Sequence, residues 1–220
     1  TENTLPAFRA AAAAGADAAE LDVRATRDGV FVVLHDARVD RTTLGRGRVA
    51  RLSAEQIGRL ATPDGLRIPE LGHVLDGTAG LGLTLVLDLK AARLDLERLV
   101  ELISAHGRLG DVVFGVRSLA DLRRLNAIRP GLHRLAFPKR PAQVDAYLDA
   151  GVDVIRVWPQ WLTRDPALAD RARAAGVDVW LTTEDAPVEQ LAAWAQDGIG
   201  GFITDRPAEA AAAFACAGEP

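Results

Sequence analysis

The sequence predicts an α/β protein of the (β/α)8 TIM-barrel type. Short β-branched runs alternate with Ala-, Leu- and Arg-rich stretches of helical period, as repeated βα units around a parallel sheet do. The length, 220 residues, suits one such barrel, for which roughly 200 to 250 suffice.

The chain opens on Thr4-Leu5-Pro6 and an Ala-rich stretch to Gly15, which reads as an N-cap, an early Pro, a helix and a Gly stop. A strand over Ala18 to Val23 follows. The next strand-like run, Phe31 to Leu34, comes too soon for a parallel crossover of a dozen or more residues, so it is expected to return antiparallel. Centring that hairpin on Asp28-Gly29, a favoured two-residue turn, pairs Arg27 with Val30, Arg24 with Val33 and Asp22 with His35. From Asp36 to Gly82 the pattern is irregular, with short helices expected at Ser53 to Leu60 and Pro69 to Leu75. Hairpin and insertion (24–82) are expected to lie over the active-site end of the barrel.

Further strands are expected at Leu83 to Leu89, Val112 to Val116, His133 to Phe137, Val154 to Val157, Val177 to Leu181 and Phe202 to Thr204. Helices fall at Asp95 to Ala105, Leu119 to Ile128, Ala142 to Ala150, Pro166 to Ala175, Val188 to Gln196 and Pro207 to Ala215. Apart from the hairpin strand this makes seven strands and an opening helix with no strand to feed it. The expectation is a barrel whose first strand lies upstream of Thr1, with 1–220 forming a single domain and 36–82 an insertion within it.

Lys and Arg number 26 against 30 Asp and Glu, and the basic residues are spread along the chain, so nucleic acid is not an expected partner. No apolar run approaches the roughly 20 residues of a membrane span, and Thr1-Glu2-Asn3-Thr4 does not read as a signal peptide. The absence of any Met implies that either an initiator was clipped before Thr1 or the residues upstream have been lost, which leaves localisation open. The single Cys216 excludes an internal disulfide and a zinc-thiolate framework, and is expected to be inert.

Glu20 and Asp22 lie two apart on the first strand, so they share a face at its carboxyl end, where barrel active sites sit. Adjacent carboxylates repel unless a positive group stands between them. Either a hard divalent cation, Mg²⁺ or Ca²⁺, fills that place, or the pair simply meets Arg24 or Arg27 at the surface. Leu87-Asp88-Leu89-Lys90 brings Asp88 and Lys90 to the same barrel mouth. Three carboxylates, Lys90 and His35 together suit a phosphate ester: cation and ammonium stabilise charge on phosphoryl oxygens while imidazole moves a proton.

With these residues in view, the chain resembles the glycerophosphodiester phosphodiesterase family. The matching segments are Glu2-Asn3-Thr4-Leu5-Pro6-Ala7-Phe8, Gly15-Ala16-Asp17, Glu20-Leu21-Asp22-Val23, Thr26-Arg27-Asp28-Gly29 and Val32-Val33-Leu34-His35-Asp36. Arg41-Thr42-Thr43 with Gly45 and Gly47, Ile68-Pro69-Glu70-Leu71 and Ile203-Thr204-Asp205-Arg206-Pro207 continue the match in order. The resemblance implies a barrel that hydrolyses small-molecule glycerophosphodiesters, such as deacylated phospholipids, to an alcohol and glycerol 3-phosphate with a divalent metal and two catalytic histidines. Carried over residue by residue, Glu20 and Asp22 are metal ligands, Asp88 stands at the third ligand position, His35 is one catalytic histidine and Lys90 faces the phosphate.

The chain also departs from the family. The His-Arg-Gly motif that supplies the other histidine is absent and is expected just before Thr1; without it this chain alone is expected to be weakly active or inactive. Asp88 replaces the usual Glu, and Leu181-Thr182-Thr183-Glu184-Asp185 replaces a Trp-Thr-Val-Asn stretch that helps hold the glycerol end. His73, His106 and His133 are expected to be structural or solvent-facing, and Glu2 a frayed terminal residue. Ala136-Phe137 and Trp158-Pro159-Gln160-Trp161 would line a substrate cleft or, in a lipid-acting enzyme, form an exposed apolar rim. The rival to catalysis is a non-catalytic barrel that binds a phosphodiester or a partner protein.

Overall fold

The computed structural model describes residues 1–91, 94–183 and 185–217, the side chains of Cys216 and Ala217 excepted. The expectation for Cys216, and position Glu184 of the departing stretch, therefore lie outside the described residues. The chain forms two compact units, Thr1–Ala13 with Asp17–Phe114 and Ala14–Ala16 with Gly115–Pro220.

The first unit contains α1 (Leu5–Ala13), β1 (Ala18–Ala25), β2 (Phe31–Val33), α2 (Ala54–Gly58), α3 (Leu71–Gly77), β3 (Thr84–Leu89) and α4 (Leu96–Ala105). Strand β1 lies between an antiparallel β2 and a parallel β3. Its alternation explains the placement: Ala19, Leu21 and Val23 are buried on one face, which leaves Glu20, Asp22 and Arg24 on the other. Strand β3 is buried from Leu85 to Leu89, as the near-continuous apolar run of a parallel strand covered on both faces should be. Helix α4 buries Leu96, Leu99, Val100 and Ile103 along one stripe, each worth about 1.5–3 kcal/mol of burial. The Asp95 carboxylate accepts from the Arg98 N–H at 3.0 Å and caps this helix, typically worth about 1 kcal/mol.

The hairpin corrects the expected register. Residues pair as Val23 with Val33, Arg24 with Val32 and Ala25 with Phe31, one position away from the two-residue turn. The loop holds three residues, Arg27, Asp28 and Gly29, closed by the Thr26 N–H donating to the Val30 carbonyl at 2.9 Å. Gly29 sits at φ 81°, the left-handed position that ends a three-residue hairpin loop. Asp28 is used elsewhere: it accepts from Thr26 Oγ1 at 2.6 Å and from the Ala54 N–H at 3.0 Å, tying the loop to the start of α2. In consequence Asp22 faces Leu34, whose N–H donates to the Asp22 carbonyl at 2.9 Å, and His35 lies one residue further on.

The 36–82 segment packs a small core of its own, in which Val39, Val49, Ile57 and Ile68 close on Val32 and Leu34 of the hairpin. Its helix α2 begins with a reciprocal cap between Ser53 and Gln56.

Strand β4 (Val112–Val116) starts in the first unit and ends in the second. The second unit then carries α5 (Leu119–Ile128), β5 (His133–Ala136), α6 (Val144–Asp149), β6 (Val154–Val157), α7 (Pro159–Arg164), α8 (Leu168–Ala174), β7 (Asp178–Thr182), α9 (Val188–Gln196), β8 (Gly201–Ile203) and α10 (Pro207–Ala217). Strands β5 to β8 are parallel and follow sequence order. Helix α7 occupies the aromatic segment, with Pro159 at its first position. It turns Trp161 inward to 6% exposure, while Ala136 and Phe137 are also buried, so these residues form no exposed apolar rim. Trp158 and Pro159 instead line a cavity of about 270 Å³ with Gln160, Thr182, Thr183 and Ala186. Among the described residues no helix is long and apolar enough to cross a membrane.

Candidate active site

The site in the first unit grows from the register of β1 on β3. Asp22 and Asp88 are direct partners across the two strands, so their side chains emerge side by side on one face. Glu20 precedes Asp22 by two residues on that face, and Lys90 follows Asp88 by two. The Lys90 N–H donates to the Val23 carbonyl at 3.1 Å, extending the ladder one step beyond β3 and fixing where its side chain starts.

Carboxylate oxygens of Glu20, Asp22 and Asp88 lie within 4.8 Å of one another. Lys90 Nζ stands 3.0 Å from Asp22 Oδ1 and 2.7 Å from Asp88 Oδ2. Asp22 and Asp88 are 3% and 1% exposed, so water does little to screen this group. Asp22 and Asp88 share the Lys90 ammonium, and carboxylates set this close together are held by positive charge between them. One atom stands out: Asp22 Oδ1 is buried and, although the ammonium is within ion-pairing range, it accepts no aligned hydrogen bond. A divalent cation suits such a group, since it carries positive charge and takes oxygen ligands of this type, Asp22 Oδ1 among them. The donor set therefore fits Mg²⁺ or Ca²⁺.

His35 is not part of that carboxylate cluster. It follows β2 with its imidazole about half exposed, and Nδ1 lies 2.8 Å from Asp36 Oδ1. The other Asp36 oxygen accepts from Arg41 Nε at 2.6 Å, and Arg41 Nη2 reaches Glu2 Oε1 at 2.5 Å. Arg24 holds the backbone of this segment, donating from Nη2 to the His35 carbonyl at 2.5 Å and from Nε to the Leu34 carbonyl at 3.2 Å. With Asp36 ionised, the neutral imidazole keeps its proton on Nδ1, and Nε2 is left as the basic atom.

Hydrogen bonds from Arg41 and then His35 hold the Asp36 carboxyl down at about 2, below its ordinary 3.8. A depressed carboxylate contributes stability that is complete above about pH 4 and is lost as pH falls through the folded value. Replacing Arg41 with Ala should move the Asp36 midpoint from about 2 up toward 3.8, as read by a carboxyl ¹³C titration. An unchanged midpoint would show that Arg41 does not control it.

Sequence assigned no role to Asn3, Asp36 or Arg41 of this constellation, and to Arg24 only that of a surface partner of the carboxylates. Asn3, Arg24, Asp36 and Arg41 lie within or beside the matched segments, but their roles rest on contacts across 19, 11, 5 and 39 positions. Glu2, expected to be frayed, is instead tied to Arg41. Of the other histidines, His106 pairs with Asp76 at 2.7 Å and His73 and His133 are exposed, in keeping with structural or solvent-facing positions.

Comparison with known proteins adds a second line. The model of the glycerophosphoryl diester phosphodiesterase family matches residues 1–209. The chain is 28% identical over 218 residues to a glycerophosphodiester phosphodiesterase of Caldanaerobacter subterraneus subsp. tengcongensis, covering 94% of this chain and 89% of that protein. A crystal structure of a glycerophosphodiester phosphodiesterase from Agrobacterium tumefaciens superposes with a TM-score of 0.82 at 28% identity, over 96% of this chain and 93% of that one. An Oleispira antarctica phosphodiesterase in complex with the product sn-glycerol-3-phosphate has a TM-score of 0.83 at 22% identity, over 97% and 91%. These likenesses show a fold of the phosphodiesterase barrel class expected from the sequence.

Proposed function

The chain belongs to the glycerophosphoryl diester phosphodiesterase family, and from that membership we propose that it hydrolyses glycerophosphodiesters to an alcohol and sn-glycerol 3-phosphate by metal-dependent general acid/base catalysis. The observation that carries the reading is the group of Glu20, Asp22 and Asp88, the last two buried and paired with Lys90, whose donor atoms suit a divalent metal ion. The residues 1–220 are taken as one functional domain, with 36–82 inserted in it.

In this reading Glu20, Asp22 and Asp88 would hold Mg²⁺ or Ca²⁺, which would supply positive charge to the phosphoryl oxygens. Lys90 would present its ammonium to a phosphate oxygen and stabilise the charge that builds up as water adds to phosphorus. His35 would accept the proton of the attacking water at Nε2 and hand it to the alcohol oxygen as the phosphorus–oxygen bond breaks, with Asp36 keeping the imidazole in the tautomer that leaves Nε2 free to accept. The small-molecule diester is the expected partner, and the Oleispira antarctica relative carries its glycerol phosphate product.

The test is release of sn-glycerol 3-phosphate from a glycerophosphodiester, followed with and without EDTA. Release that stops with EDTA and returns with excess Mg²⁺ or Ca²⁺ supports the proposal. Release indifferent to chelation overturns the metal's role. Saturable binding of the diester with no release at any pH, both by this chain and by one extended upstream with the His-Arg-Gly motif, favours the non-catalytic barrel.

A further inference from the structure

Asn3 makes two reciprocal hydrogen bonds to one residue of the carboxylate group. Its Nδ2 donates to Asp22 Oδ2 at 2.7 Å, and its Oδ1 accepts from the Asp22 backbone N–H at 3.0 Å. The paired bonds span 19 positions and join the segment before α1 to the edge of β1 that carries the site. They also fix the Asp22 carboxylate plane, because one oxygen is committed while backbone and side chain are gripped together.

The backbone at Asn3 supports this reading. At φ 57°, it is the one non-glycine residue with positive φ among the described residues. Asn tolerates that conformation better than most residues, and it alone among such residues carries both a carbonyl and an amide on one short side chain. An Asp there would set a second carboxylate against Asp22, and a Gly would keep the backbone but lose both bonds.

We propose that Asn3 is a positioning residue for the metal centre: by occupying Oδ2 of Asp22 it commits Oδ1, the oxygen shared with Asp88 through Lys90, to a divalent cation. The division of labour is visible in the two oxygens. Oδ2 takes the Asn3 amide, whereas Oδ1 is buried without an aligned hydrogen bond and lies 3.0 Å from the ammonium that also sits 2.7 Å from Asp88. The inference rests on the metal reading of the site, but concerns an amide that touches neither the cation nor the substrate.

Calorimetric titration with Mg²⁺ or Ca²⁺ alone tests it, with thermal unfolding in EDTA as the check on folding. Asn3→Gly should weaken binding about 10- to 100-fold, the usual cost of removing a partner that orients a ligand, while metal-free unfolding stays cooperative. Equal binding by Asn3→Gly and the unaltered chain, with binding lost in Asp22→Asn, would overturn the role of Asn3 and leave the metal site standing. No binding by the unaltered chain would overturn both. Should Asn3→Gly fail to fold, the Asn3 side-chain amide protons of the unaltered chain serve instead. They should be protected from exchange and shift on Mg²⁺ addition; fast-exchanging protons that ignore the cation would refute the proposal.

Discussion

Asp22→Ala should abolish metal-dependent turnover without unfolding the chain, and Glu20→Ala should do the same. Losing a ligand forfeits several kcal/mol of charge stabilisation in the transition state, which corresponds to about 10² to 10⁴ in rate. The metal-free protein should change little in stability, because Lys90 retains Asp88 at 2.7 Å. Thermal unfolding should expose the difference. At about 100 times its dissociation constant a bound cation adds about 2.7 kcal/mol, or roughly 5 to 10 °C for a chain of this size. That increment should appear in the unaltered chain and vanish in Asp22→Ala, with the EDTA curves nearly coincident. Full turnover in either variant, or an undiminished cation-induced shift, would sink the metal assignment.

His35→Ala should cost about 10² to 10⁴ in kcat, the usual contribution of a positioned acid or base, with KM nearly unchanged. Its imidazole is half exposed and bonds to Asp36 at the surface, so the substitution should alter stability by no more than about 0.5 kcal/mol. Asp36→Asn is the companion variant. It keeps the shape but removes the charge that holds the proton on Nδ1, and the ring ¹⁵N shifts of His35 should then report a mixture of tautomers. Turnover by His35→Ala equal to that of the unaltered chain would exclude a proton-transfer role and turn attention to a binding function.

Much of the site was legible because strand geometry is local. A two-residue period places Glu20 with Asp22 and Asp88 with Lys90, and parallel register then needs only one correct alignment to unite the four. The hairpin was less legible. Asp28-Gly29 carries the signature of a two-residue turn, yet Asp28 bonds instead to Thr26 and to the start of α2, which favours a three-residue loop and shifts the pairing by one. Local turn chemistry cannot register a competing bond to a helix 26 residues away. Trp158-Pro159-Gln160-Trp161 reads in sequence as a cleft lining or an apolar rim, and folding separates the two, since a helix begins at Pro159, buries Trp161 and leaves Trp158 and Pro159 lining a cavity.

The alternation of strands and helices, the pairwise spacing of the carboxylates and the segments that carry the family resemblance are properties of the chain itself, since each depends on residues a few positions apart or on their order. Folding decided what Glu2, Asn3, Arg24 and Arg41 do. Arg41 meets Asp36 and Glu2, Arg24 grips the His35 backbone, and Asn3 takes one oxygen of Asp22. These polar side chains carry no periodic signal, and a hydrogen bond between distant segments exists only once backbone packing has brought donor and acceptor within about 3 Å of each other.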